Sequence, residues 1–159
     1  MSEPIRWLAG EPALCAALGR ALLDPEACGA QRTLLRDRPG RRGVYRVRLA
    51  EGDDLFVKRF YAQGRRHPLR DRLKRALRLD VAHREWRNLR RLQHAHVRVP
   101  TPRALGVLPG GDTLLAMDFI EGRTFATALA ADGRSLLLAV GDLVASFHAA
   151  GFAHWDFHQ

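Results

Sequence analysis

The stretch from Val44 to Phe60 does most to limit what this chain can fold into. Val44-Tyr45-Arg46-Val47-Arg48-Leu49 alternates with a period of two, so one face is buried and the other carries arginine. Gly52-Asp53-Asp54 supplies a turn, and Leu55-Phe56-Val57-Lys58-Arg59-Phe60 reads as the next strand. Upstream, Thr33-Leu34-Leu35 is a candidate strand, joined to this pair by the turn-rich, basic connection Arg36 to Gly43. Three strands linked by turns make an antiparallel meander. Its third strand carries a lysine, Lys58.

Helical patterns and a second strand pair surround the meander. Residues 11–23 read as a short helix, with Glu11 and Pro12 in its first turn and Leu14, Leu18 and Leu22 at every fourth position. A helix from Ala82 to Gln93 places Glu85, Leu89 and Leu92 at i, i+4 and i+7, so a carboxylate shares the apolar stripe. A charge on an inward face is costly unless paired. Val99-Pro100-Thr101-Pro102 breaks that helix. Ala104–Leu108 and Thr113–Phe119 then form a hairpin around the turn Pro109-Gly110-Gly111-Asp112. Thr124 to Ala131 predicts a short helix, and Leu136 to Ala150 a long, buried one capped near Asp132 or Ser135. Leu136, Val140, Leu143 and Phe147 line one side of it, and Gly151 is its stop. Three stretches follow: an N-terminal helical extension at 1–30, a sheet with one helix at 31–120, and helices at 121–159.

A chain of 159 residues is long enough for one domain with a real core, and 47% apolar with 27% charged residues is an ordinary globular balance. The net charge of +9 is concentrated: between Tyr61 and Arg91, eleven Lys or Arg face three acids. Leu69, Leu73 and Leu77 make residues 66–79 a basic amphipathic helix, a form that lies on anionic membrane surfaces. The alternative is a helix packed on its own domain with a solvated outer face. Tyr61 and Trp86 are too few for a stacking platform, so no nucleic acid is expected. Cys15 and Cys28 have neither CxxC nor metal-cluster spacing. Met1 to Arg6 lacks the form of a signal peptide, and the run Leu136–Val140 is cut by Gly141 and Asp142, which points to a cytoplasmic protein.

The last six residues, His154-Trp155-Asp156-Phe157-His158-Gln159, follow the apolar helix. His-x-Asp in that place has the shape of a phosphotransferase catalytic loop, with the aspartate as base. The alternatives are a solvated carboxylate among polar turn residues, or a metal site, since His154, Asp156 and His158 share one side of an extended stretch.

Taken in order, the chain gives a meander, a lysine on its third strand, an inward carboxylate on the next helix, two strands, a connector, a buried helix and His-x-Asp. This order resembles the protein-kinase-like fold, an α+β fold. Here it would comprise an N-lobe of antiparallel sheet with a regulatory-type helix, plus the first helices of the C-lobe. Phe56-Val57-Lys58-Arg59-Phe60, Arg84-Glu85-Trp86-Arg87-Asn88-Leu89 and Val99-Pro100-Thr101-Pro102 look closest to the bacterial lipopolysaccharide kinase family, over residues 31–159. The resemblance implies phosphorylation of a Kdo or heptose hydroxyl of the lipopolysaccharide core, with ATP and Mg2+ as cofactors. It assigns Lys58 to the α- and β-phosphates with Glu85 as its partner, and Met117, Asp118, Phe119 and Ile120 to a hinge that meets adenine. Gly40 and Gly43 take the place of the phosphate-covering loop. That loop departs from the repeated-glycine pattern and holds Arg38, Arg41 and Arg42, so an ordinary hairpin is the equal alternative. Asp156 would accept or orient the acceptor's proton, and His154 would brace the loop.

In such families the metal-binding residues fall beyond the position of Gln159. No metal ligand is therefore assigned, and the 159 residues are expected to be a truncated, inactive form. The implied partner is an anionic lipid or lipopolysaccharide precursor, met through the basic helix 66–79 at the inner membrane surface. A Ser/Thr protein kinase or small-molecule phosphotransferase is the near alternative. A pseudokinase or non-catalytic basic binding module is the alternative of a different class.

Overall fold

The computed structural model describes residues 5–62, 73–74, 76–123 and 125–152. Most of the expected basic helix 66–79 lies outside the described residues, as do His154, Asp156 and His158. In chain order the elements are β1 (Arg6–Gly10), α1 (Pro12–Leu23), β2 (Gln31–Arg38), β3 (Arg42–Arg48), β4 (Asp54–Phe60), α2 (Val81–His94), β5 (Pro102–Val107), β6 (Thr113–Asp118) and α3 (Phe125–Ala149). The strands form one antiparallel sheet in the order β1-β5-β6-β4-β3-β2. This is an α+β architecture that fits a kinase-like N-lobe.

Strand alternation gives the sheet two faces. Val47, Leu49, Leu55, Val57, Ala104, Leu114 and Ala116 face α1, which adds Leu14, Cys15, Leu18 and Ala21. On the other face Phe60, Leu105, Leu115 and Met117 pack with Ala82, Trp86 and Leu89 of α2. Leu18, Leu55, Leu114 and Leu115 are fully buried, and each such side chain contributes roughly 1.5–3 kcal/mol over an exposed one. Burial also raises the Cys15 thiol above its ordinary pKa, with Glu11 adding to the effect, which keeps it an apolar filler.

Three features depart from the sequence expectations. Residues 6–10, which show no clear strand pattern, form β1, paired along β5 from Arg6↔Val107 to Gly10↔Ala104. The strands β2 and β3 take up much of the connection expected at 36–43. What remains is a tight turn in which the Arg41 amide donates to the Arg38 carbonyl at 3.0 Å. Pro39 at its second position and Gly40 at its third, with φ of 69°, are the residues a type II turn requires.

The third departure is a correction. The helix expected to be buried is not: no described side chain of α3 is buried, and Leu137, Leu138 and Leu143 are exposed. Its least exposed stripe runs through Leu136, Val140, Val144 and Phe147, so the expected side is right except that Val144 stands in for Leu143. Gly133, at φ 48° and ψ −118°, splits α3 into a short and a longer helix, as the sequence pattern implies. At its end the Gly151 amide donates to the His148 carbonyl and the Phe152 amide to the Phe147 carbonyl, both at 2.9 Å. This pair of bonds is the Schellman stop.

Candidate active site

Lys58 lies on β4 between Phe56 and Phe60, and alternation turns all three toward α2. Asp80 starts α2: its carboxylate accepts from the His83 amide at 3.1 Å and from the His83 imidazole Nδ1 at 2.7 Å. With the helix start fixed in this way, Glu85 falls on the stripe shared with Leu89 and Leu92, facing the sheet. Lys58 Nζ donates to Glu85 Oε1 in a partly buried ion pair. The inward carboxylate is thus matched, which offsets the cost of turning a charge toward apolar neighbours. The Lys58 ammonium also lies 5.8 Å from the centre of the Phe56 ring.

A cleft of about 560 Å³ opens beside this pair, lined among others by Lys58, Glu85, Asn88, Leu89, Met117 and Phe152. A larger cavity of about 800 Å³, bounded by Arg6, Trp7, Arg78 and His83, lies between β1, the β5–β6 turn and the start of α2. It shares no lining residue with the first. The smaller cleft is the candidate site because it contains the lysine–carboxylate pair, a polar constellation that volume alone does not supply. Phe147 and Phe152 join its wall from the end of α3, and Arg91 of α2 lies 4.9 Å over the Phe152 ring. Sequence reasoning did not assign Phe152 to the site, although an apolar residue just past a glycine stop is a packing signal.

The other expected site residues are distributed differently. Met117 is buried and reaches the cleft. The Asp118 amide donates to the Thr101 carbonyl and the Phe119 amide to the Asp54 carbonyl, both at 2.9 Å. Those two amides are committed to the fold, and Ile120 is exposed. Gly40 lines a separate cleft of about 390 Å³ with Asp37, Arg59 and Asp112. Gly43 is buried: a Cβ there would sit 2.6 Å from the Tyr61 hydroxyl and 2.9 Å from that of Tyr45. Neither glycine borders the cleft beside Lys58.

Where the sheet meets the connector to α3, Arg46 holds Asp54 through Nε at 3.0 and 3.1 Å and Nη2 at 2.5 Å. These bonds, chiefly, hold the Asp54 carboxyl below the usual carboxylate range, and Arg48 adds to them. Among the described residues no group of three or more His, Cys, Asp or Glu is placed to hold a metal ion. The partly buried ammonium of Lys58 fits a polyphosphate, but the described residues offer no magnesium ligand set. No helix among them is long and apolar enough to cross a membrane.

The antiparallel sheet, the helix against it and the lysine–carboxylate pair between them define a kinase-like N-lobe. The model of the lipopolysaccharide kinase (Kdo/WaaP) family matches residues 26–159, and the chain belongs to that family. Family membership makes it a phosphotransferase by descent. Comparisons with curated proteins and with solved structures return no match. The matched region begins after β1 and α1, although both contribute to the sheet and its core.

Proposed function

We propose that this chain carries the nucleotide-binding part of an ATP-dependent kinase whose acceptor is a sugar hydroxyl, of Kdo or heptose, in the lipopolysaccharide core. The observation that supports it most is the Lys58–Glu85 ion pair at the mouth of an apolar-walled cleft. An ammonium held by one carboxylate, with protons left to donate, suits the α- and β-phosphates of a nucleotide. Glu85 orients it. The acceptor class rests on the family description.

Magnesium-ATP, when bound, supplies the phosphoryl group and part of the charge neutralisation. Lys58 binds and orients the phosphates. Asp156 follows Phe152 by four residues in sequence, and in this reading it takes or orients the proton of the attacking hydroxyl while His154 braces it. Little covalent work is asked of the protein, so positioning and electrostatics provide most of the rate. The basic residues of the 66–79 stretch would draw the protein to anionic lipid or to the phosphates of a lipopolysaccharide precursor at the cytoplasmic membrane surface.

Thermal denaturation tests nucleotide binding. At a hundred times its Kd a ligand stabilises by about 2.7 kcal/mol, or roughly 5–10 °C for a chain of this size. ATP with magnesium is expected to raise Tm by that order, and Lys58→Met to remove the rise. An unchanged Tm in the wild type would overturn the nucleotide reading. Comparing a Kdo- or heptose-containing acceptor with a protein acceptor decides the substrate class.

A further inference from the structure

Two arginines from different strands converge on the segment that leaves β6. Arg46, on β3, forks onto Asp54 and places its guanidinium carbon 3.9 Å from the centre of the Phe119 ring. Arg103, on β5, donates to Asp118 at 2.8 Å and to Asp53 at 3.3 Å. Asp53 and Asp54 are the adjacent residues that lead into β4, and the Asp54 carbonyl also accepts the Phe119 amide. Each arginine therefore ties one of this acidic pair to the end of β6 or to the residue that follows it.

The two ties approach from opposite sides. Ala116 packs in the α1 layer and Met117 in the α2 layer, so alternation turns Asp118 to the α1 side and Phe119 to the α2 side. Tyr45 and Val47 face α1, which turns Arg46 toward α2, the side of Lys58. The register agrees: Val44 pairs with Lys58 and Arg46 with Phe56.

We propose that Arg46 and Arg103 are positioning residues that clamp residues 118–119 from both faces of the sheet and so preset the segment a nucleotide base would meet. The nucleotide part rests on the function proposed above; the clamp itself does not. Arginine suits the role because its planar fork can bond a carboxylate and stack on a ring at once, which lysine cannot do.

Amide hydrogen exchange without nucleotide, followed by ATP titration, tests the clamp on the whole chain. Arg46→Ala and Arg103→Ala are each expected to speed exchange at the Asp118 and Phe119 amides about tenfold, a loss of about 1.4 kcal/mol of local protection. The Leu115 amide within β6 should not change. Arg46→Lys, which keeps the charge and is the milder change if an alanine variant folds poorly, should also fail to restore protection at Phe119. ATP affinity should fall in both alanine variants. Unchanged exchange at 118–119 overturns the clamp. Faster exchange with unchanged ATP affinity overturns its role in presetting the base site. If the wild type gives no ATP response but the exchange effects appear, the nucleotide reading fails and the clamp stands.

Discussion

The helices α2 and α3 treat apolar surface in opposite ways. α2 is rich in arginine, at Arg84, Arg87, Arg90 and Arg91, with a narrow apolar stripe, and that stripe is covered by the sheet. α3 carries leucine, valine and alanine around much of its circumference and buries none of its described side chains. A helix is located by whether its apolar face matches a neighbour, not by how apolar it is. α2 is fastened to the sheet twice, by Glu85 on Lys58 and by Trp86 and Leu89 in the apolar layer, and Asp80 caps its first turn. α3 is held to the rest at its C-terminal end, where Phe147 and Phe152 reach the cleft.

Substitutions can break this contrast or sharpen it. Leu115→Ala, in the layer beneath α2, should cost about 2–5 kcal/mol in urea unfolding, whereas Leu138→Ala on α3 should stay within about 0.5 kcal/mol. Equal losses would show that α3 is as firmly packed as the sheet. Asp80→Ala removes the α2 cap and the partner of the His83 imidazole, whose Nε2 is buried without a hydrogen bond among the described residues. Its expected cost is about 1–3 kcal/mol, with faster amide exchange along α2 and none along α3. Gly133→Ala forces a side chain into a glycine-only backbone conformation, at about 1–3 kcal/mol. That strain should lower helical circular dichroism and leave exchange in the sheet unchanged.

The smallest effect expected is electrostatic. Arg46 holds the Asp54 carboxyl below its ordinary range in the folded state. Its stabilising contribution is therefore complete above the unfolded carboxylate pKa, about 3.9, and is lost as pH falls through the lower folded value. Acid unfolding of Asp54→Asn should show a shallower loss of stability below pH ~4 than the wild type.

The parts of the site that depend on local order could be read from the chain. The strand lysine and the carboxylate on the helix's apolar stripe were each legible, their pairing followed from the kinase-like resemblance, and the two side chains meet. Packing between distant segments could not be read in the same way. Gly43 fits a phosphate loop by position, but the hydroxyls of Tyr45 and Tyr61 converge on it, a contact visible only once β3 and β4 are registered. Arg46 was evident as a strand arginine; that it shares a face with Lys58 follows from that same register. β1 escaped notice because five residues carry little periodicity and their partner strand lies far along the chain. The burial expected for α3 failed because apolar composition describes a preference, while burial depends on a surface being there to meet it.

The pairing of Arg6 with Val107 has a consequence for biosynthesis. β1 leaves the ribosome well before its partner and is among the last strands to find its neighbour, since about a hundred residues must be added before β5 exists. At ~5–20 residues per second this wait is roughly 5–20 s. Throughout it the Leu14 and Leu18 face of α1 has no complete sheet to cover it. Nascent chains should therefore engage hydrophobic-binding chaperones through β1 and α1 and be released only once β5 has emerged.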